Sequence, residues 1–350
     1  MDKVKLGFLG CGSMGQRAHL RNYAQLKDIC EVVAVADVKI EQAKKVASVY
    51  DIPTVYDKAE ELLSNPEIEA VVASQQFSQH VNIAPMVLNA GKHLLTEKPV
   101  CIYADNAKEM IEAAKKNNKI HMIANHKRSD PATEYAVDII RKWKETGEMG
   151  RMKYVRITMP PGNWTANPDA PYITDEKVEL LQGEAKLDSL DDDTARRYGG
   201  FVNYYIHQVN MMRFLLGEDY KLTFADKSGV LLAVESESGV CGTIEMDTYS
   251  TSDDWQEKMM ICFQKGWVEV CLPAPLMSQT AGKVTVFTDN GSGGMFTSPR
   301  LPNLCAMRKQ AMNFIAAVKG ERTPPCEAVE AVKDLDIAMD YINYMKKYQA

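Results

Sequence analysis

Glu97 and Lys98 stand side by side in HLLTEKPV, residues 93–100, with Leu94, Leu95 and Val100 around them and Pro99 directly after. The apolar residues suit a buried strand or its rim. An unpartnered charge buried there costs several kcal/mol. Either the strand ends and its tip is solvated, or the charges are placed for chemistry. A lysine ammonium offers three hydrogen-bond donors and a positive charge.

A second reactive set lies in FVNYYIHQVNMMRFLLG, residues 201–217. Asn203, His207 and Asn210 recur there at i, i+4 and i+7, one face of a continuous helix. An imidazole titrates near neutral pH and suits general acid–base work. A lone helical histidine is more often structural. Three polar groups on one face point instead to a lined cleft, with Tyr204 beside it. The preceding stretch, 160–200, is polar, acidic and rich in proline. A loop of that length reads as a lid or specificity loop, or as disorder. Trp164 and Tyr172 within it could stack on a ring, or could merely pin the loop down.

A third set is GFLGCGSMG, residues 7–15, with Gly10, Gly12 and Gly15 spaced GxGxxG. The first glycine permits a tight turn, the second lets a pyrophosphate reach the backbone, and the third lets the helix approach the strand. Ser13 and Met14 lie where a helix N-terminus presents unpaired N–H groups to phosphate. The motif follows an apolar run and precedes a helical one. Asp37 ends the next apolar run, about 20 residues on, where an acid holds the ribose hydroxyls. A carboxylate there repels a 2′-phosphate, which favours NAD over NADP, although Lys39 lies close by.

The elements that must position these groups alternate through residues 1–127. VKLGFLG, CEVVAVADV, IEAVVAS, KHLLTEK and KIHMIAN read as buried strands between helical stretches, the pattern of a parallel sheet with crossover helices. From about 128 the character changes. A helix over 131–150 and a strand over 152–159 are followed by the long loop. A helix over 201–217 comes next, then hairpins turning at 237–239 and 265–266. Helices over 305–319 and 327–347 close the chain. The expected fold is α/β. An N-terminal doubly wound Rossmann domain, 1–127, precedes a substrate-binding and oligomerisation domain, 128–350, of α+β type with a largely antiparallel sheet.

Composition narrows the function classes. The 350 residues are 45% apolar and 25% charged, with a net charge of −6. That is ordinary globular usage, and no basic block suggests nucleic acid. No apolar run approaches the roughly 18 residues of a membrane span. The eight cysteines are scattered without CxxC spacing, which fits free thiols in a reducing cytoplasm and gives no metal-site pattern.

These motifs resemble the glucose–fructose oxidoreductase / inositol dehydrogenase / rhizopine-catabolism family (Gfo/Idh/MocA) over nearly the whole chain. The resemblance is carried by GFLGCGSMG, by IEAVVASQQFSQHVNIAPMVLNAGKHLLTEKPV, and by HKRSDPA, GEMG, GGFVNYYIHQVN and FIAAVKGERTPP. It implies that Lys98, in the Glu97–Lys98–Pro99 tripeptide, lies beside the nicotinamide and the reacting carbon, paired with His207 from the helix after the lid. It also implies that Ser74 and Gln75 touch the nicotinamide ribose and that His80 belongs to the same loop. Two departures are visible. Asn203 stands where the family commonly has Asp, and Asn210 where it often has an acid. The usual Thr-Pro-Asn-type turn reads Ser74-Gln75-Gln76-Phe77. The implied activity is hydride transfer between nicotinamide and a secondary hydroxyl or ketone of a sugar, a glycoside (a glucoside C3 being one version) or a cyclitol. The family also includes glycosidases that use NAD transiently and a non-catalytic sugar- or NAD-sensing regulator. It implies a homodimer or homotetramer.

Overall fold

The structure, a computed structural model, describes residues 2–159, 162–166, 170–246 and 254–348. Parts of the expected long loop (160, 161, 167–169) and the end of the first hairpin (247–250) lie outside them. The chain forms two compact units. One comprises Met1–Asn125, Pro168–Ala195 and Gln310–Leu335; the other comprises His126–Asn167, Arg196–Lys309 and Asp336–Ala350.

In the first unit, β1 (Val4–Leu9), β2 (Cys30–Ala36), β3 (Thr54–Tyr56), β4 (Ala70–Ala73), β5 (His93–Thr96) and β6 (His121–Ile123) form a parallel sheet. Their order is β3-β2-β1-β4-β5-β6. All four residues of β4 are buried, as their unbroken apolar run requires. The order reverses between β1 and β4, which opens a ligand crevice at the carboxyl ends of those strands. Helices Ile40–Tyr50, His80–Asn89 and Lys108–Lys116 make crossovers. The helix expected from residue 15 is wound as a π-helix over Gly15–Leu20 before one α-turn, Arg21–Tyr23. Such π segments concentrate at functional sites.

This unit is not closed by its first 125 residues. Ala311, Phe314 and Ile315, from helix Ala306–Val318, share its core with Leu6, Phe8, Val35 and Met122. The N–H of Ile123 donates to Cys326 O at 2.9 Å. The sheet's apolar surface needs cover, and a stretch from the far end of the chain supplies it.

In the second unit the strands are β7 (Met152–Thr158), β8 (Tyr220–Ala225), β9 (Leu231–Ser236) and β10 (Cys241–Glu245), then β11 (Lys258–Phe263), β12 (Gly266–Cys271), β13 (Lys283–Asp289) and β14 (Gly294–Thr297). They form one sheet ordered β14-β13-β12-β11-β7-β10-β9-β8. Pairing is antiparallel except between β7 and β10. Burial alternates along β12, as a sheet packed on one face demands. Helices Pro131–Thr146 and Ile206–Leu216 pack on this sheet. The first starts where Asp130 accepts the N–H of Ala132 and proline occupies the first turn; it stops at Gly147, φ 68°. Register lines up Glu235, Cys241, Tyr154, Cys262, Trp267, Phe287 and Phe296 across successive strands.

The helix expected over 201–217 is broken. It forms as Asp192–Tyr204 and Ile206–Leu216. At Tyr205 the chain tightens: its carbonyl accepts from Gln208 three residues on, while its Oη donates to Met246 O at 2.6 Å. The Tyr205 N–H still donates to Phe201 O and its carbonyl also accepts from Val209, so the two segments run on with one irregular residue between them; along them Asn203 is exposed, His207 half-buried and Asn210 buried.

Candidate functional site

The glycine turn lies at the carboxyl end of β1. Gly10 has φ +89°, a conformation side chains rarely adopt, and a Cβ on Gly15 would come within 2.6 Å of both Gly10 O and Ser74 Oγ. Gly12 faces open space. Ser74, at the end of β4, donates from Oγ to Gly10 O at 2.8 Å, which ties the two strand ends together at the switch point. Asp37 Oδ2 accepts the N–H of Cys11 at 2.6 Å and Oδ1 that of Lys39 at 2.9 Å. A cavity of about 390 Å³ opens here, lined by Gly10, Gly12, Asp37, Ser74 and Gln75 among others. That volume falls in the roughly 300–1,000 Å³ range of small-molecule sites. Gln75 Oε1 is buried with no hydrogen-bond partner among the described residues. An open glycine, a ribose-type acid and an unmatched amide oxygen fit a dinucleotide. Gly10, Gly12 and Gly15 would admit it, Ser13 and Met14 would face its phosphates, and Asp37 would hold its ribose.

The Glu97–Lys98 pair sits just past the end of β5, and the two residues part company. Glu97 is not solvated: it is 9% exposed and its Oε1 lies 2.7 Å from Nε2 of the buried His19. It braces the π-helix that follows the glycine turn. Lys98 is partly buried and precedes Pro99 through a cis peptide. His80 is fully buried and stands behind this turn, away from the cavity lining. Its Nδ1 lies 3.1 Å from Pro99 O and 3.2 Å from Val100 O. Two carbonyl acceptors require a proton on Nδ1. Burial lowers the His80 pKa, so the ring is held neutral. It positions the turn.

Part of the expected lid belongs to this unit. Gln16 grips Tyr172 with both amide atoms, Nε2 to Tyr172 O at 2.8 Å and Oε1 from Tyr172 N at 2.7 Å. Gln42 Oε1 accepts the N–H of Thr174 at 3.1 Å. Further along, the carboxylate of Glu184 accepts the N–H groups of Ile102 and Tyr103 at 2.6 and 3.2 Å. Between these anchors, Ile173, Val178, Leu180 and Leu181 help line the cavity. Gln16, Gln42, Glu176 and Glu184 were not singled out from sequence. Their polar partners lie far along the chain, so no spacing rule announces them.

In the second unit, His207 is partly buried and packs edge-on against His126, ring centroids 4.9 Å apart. Asn203 is exposed. Asn210 is buried, and its Oδ1 accepts from Arg128 Nε at 2.5 Å while its carbonyl accepts from Nη2 at 3.2 Å. It anchors a buried guanidinium rather than standing ready for a ligand. Tyr204 is partly buried, and burial together with the Glu257 charge raises its hydroxyl to about 12. Trp164 is exposed, its carbonyl accepting the N–H of Leu276 at 3.3 Å.

The same unit holds a polar cluster that sequence reasoning passed over. Lys127 Nζ donates to Glu257 Oε1 at 2.6 Å with both side chains nearly inaccessible. Gln208 Nε2 also donates to Glu257 Oε1, at 3.0 Å, and Lys127 lies 5.6 Å from the Trp255 ring. Burial lowers the Lys127 pKa, and Glu257 opposes that shift. Lys127 sits inside the quoted HKRSDPA, but a lysine beside an arginine gives no sign that both are buried. Among the described residues no group of three or more His, Cys, Asp or Glu could hold a metal ion, and no helix is long and apolar enough to cross a membrane.

Residues 4–126 match the GFO_IDH_MocA profile, described as "Oxidoreductase family, NAD-binding Rossmann fold". The chain is 24% identical over 243 residues to the myo-inositol 2-dehydrogenase of Thermotoga maritima. That alignment covers 69% of this chain and 63% of that protein, less than two thirds of its length. In structure it is similar to UDP-N-acetylglucosamine 3-dehydrogenase from Acidithiobacillus ferrooxidans, with TM-score 0.71, 19% identity and full coverage of both chains. It is also similar to a 3-ketoreductase from Actinomadura kijaniata solved with NADP and TDP-benzene, with TM-score 0.68, 16% identity and coverage of 97% and 96%. At these identities the structural likeness speaks for the fold. The resemblance drawn from the motifs is thus matched over residues 4–126, where the chain fits the model of the Gfo/Idh/MocA oxidoreductases' NAD-binding Rossmann fold.

Proposed function

We propose that the protein is an NAD-dependent dehydrogenase or reductase that moves a hydride between nicotinamide and a secondary hydroxyl or ketone of a sugar, glycoside or cyclitol. The observation that carries this reading is the cradle at the β1–β4 switch point, where Asp37 is fixed by two N–H groups beside an open Gly12. The bound dinucleotide supplies the hydride acceptor or donor. Lys98 donates to the substrate oxygen and stabilises alkoxide character. His207 takes the hydroxyl proton. Asn203 cannot exchange a proton but can hydrogen-bond a hydroxyl, and Trp164 and Tyr204 are further candidates for substrate contact. The relative named as a myo-inositol 2-dehydrogenase supports the substrate class. NAD is preferred over NADP because a carboxylate, Asp37, stands where a 2′-phosphate would lie.

The exposed row of the second sheet supports a homodimer or homotetramer. Tyr154 and Phe296 are 41% and 67% exposed, with Trp267 and Phe287 between them in register. Sedimentation at micromolar concentration tests this, and a stable 39 kDa monomer overturns it.

The activity is tested by extracting bound nucleotide from the purified protein, then screening monosaccharides, inositols and glycosides for NADH formation. No NADH with any of them, together with no bound or binding nucleotide, sinks the reading. A second reading, a glycosidase that oxidises, eliminates and re-reduces on one bound NAD, is favoured by the 170–184 segment, which is anchored at both ends and lines the cavity between. It is distinguished by glycoside cleavage without net NADH.

A further inference from the structure

One carboxylate of the 170–184 segment does more than hold the segment down. Glu176 Oε1 accepts the N–H of Glu41 at 3.0 Å, and Oε2 accepts that of Gln42 at 3.1 Å. These are the free donors in the first turn of helix Ile40–Tyr50, a natural seat for an anion. The Thr174 hydroxyl donates to Glu176 Oε2 at 2.6 Å. Lys39, the cation nearest Asp37 in sequence, donates from Nζ to Thr174 O at 3.1 Å.

This corner adjoins the expected ribose position. Asp37 Oδ1 accepts the N–H of Lys39, and Asp37, Lys39 and Gln42 all line the cavity. A phosphate on the ribose 2′-oxygen would be directed here. Its natural partners would be the helix N–H groups and a nearby cation. Both are already engaged, the first by an internal carboxylate and the second by the backbone beside it.

We propose that Glu176 is a specificity-determining residue: its carboxylate occupies the anion seat that a 2′-phosphate would need, and so excludes NADP. Asp37 alone repels that phosphate from one side. Glu176 removes the compensating donors on the other and adds a second negative charge against a group carrying about −1.5 to −2 at neutral pH. The inference rests on the NAD reading above and deepens it.

The test is binding, measured on the full-length chain after charcoal removal of nucleotide. NADH and NADPH are followed by fluorescence, and 5′-AMP and 2′,5′-ADP by calorimetry. Wild type is expected to favour NADH and 5′-AMP. Glu176→Ala is expected to narrow the 2′,5′-ADP to 5′-AMP discrimination by about tenfold or more, a change of about 1.4 kcal/mol. Glu176→Gln, which keeps the size and loses the charge, is expected to narrow it less. Adding Lys39→Ala to Glu176→Ala is expected to restore discrimination. A wild type that prefers NADPH overturns the NAD reading. A wild type that prefers NADH, with Glu176→Ala changing both nucleotides by one common factor or neither, leaves that reading standing and overturns this one.

Discussion

Replacing Glu257 by glutamine tests the buried pair of the second unit. The side chains of Lys127 and Glu257 are 4% and 2% exposed and meet at 2.6 Å. Glutamine keeps an oxygen that can accept from Lys127 and Gln208 but removes the compensating charge. Breaking a buried pair from one side typically costs 3–5 kcal/mol, and the retained acceptor places this variant near the lower bound, about 3 kcal/mol. For a domain of roughly 150–250 residues that lowers the unfolding midpoint by about 6–12 °C. The pH dependence carries a sign. Burial holds the Lys127 pKa below 10.5 in the folded protein. The folded state therefore binds fewer protons than the unfolded chain and gains stability as pH rises towards 10.5. Losing Glu257 depresses that pKa further, so the deficit of Glu257→Gln should shrink between about pH 7 and about pH 9.5. The assay is thermal unfolding by circular dichroism at both pH values. Adding Lys127→Met should recover much of the loss, because no unpaired charge remains. A Glu257→Gln midpoint within about 1 °C of wild type at neutral pH refutes the reasoning.

His207→Ala and Lys98→Ala should each lower kcat by about 10²–10⁴-fold, the usual cost of losing acid–base or oxyanion assistance. NADH affinity should change little, and a near-wild-type kcat in the histidine variant moves the role to a neighbouring tyrosine. Gly15→Ala should abolish nucleotide binding, because its Cβ would lie 2.6 Å from Gly10 O; calorimetry with NADH checks this. Asn210→Ala should cost about 2 kcal/mol of stability through its lost bond to the Arg128 guanidinium, with KM unchanged; a raised KM at wild-type stability would return Asn210 to the substrate. Asp130 is pushed by burial from 3.8 to about 6. Its protonated form is favoured in the fold, so its contribution is present below pH 3.8 and is lost as pH rises through about 6, a span worth about 3 kcal/mol. Asp130→Asn should flatten that part of the stability profile, measured by urea unfolding across the range.

The sequence by itself determined the first unit's sheet and cradle. Its central strands, β1 and β4, are buried on both faces and so read as apolar runs. The glycines at 10, 12 and 15 answer to backbone geometry within a few residues, as does Asp37 at the next strand end. The hairpins of the second sheet were legible for the same local reason, from their turns at 237–239 and 265–266. What only tertiary structure decided were the partners of polar groups that meet across long stretches of chain. Glu97 resembles a solvated strand tip until His19 is found beside it. Asn210 resembles a cleft amide until Arg128 claims it. The stretch 170–184 carries no period of its own, because its order comes from Gln16, Gln42 and Glu184. Local spacing encodes the elements. Burial of a charge, and the identity of the group that satisfies it, is settled only when distant segments fold against one another.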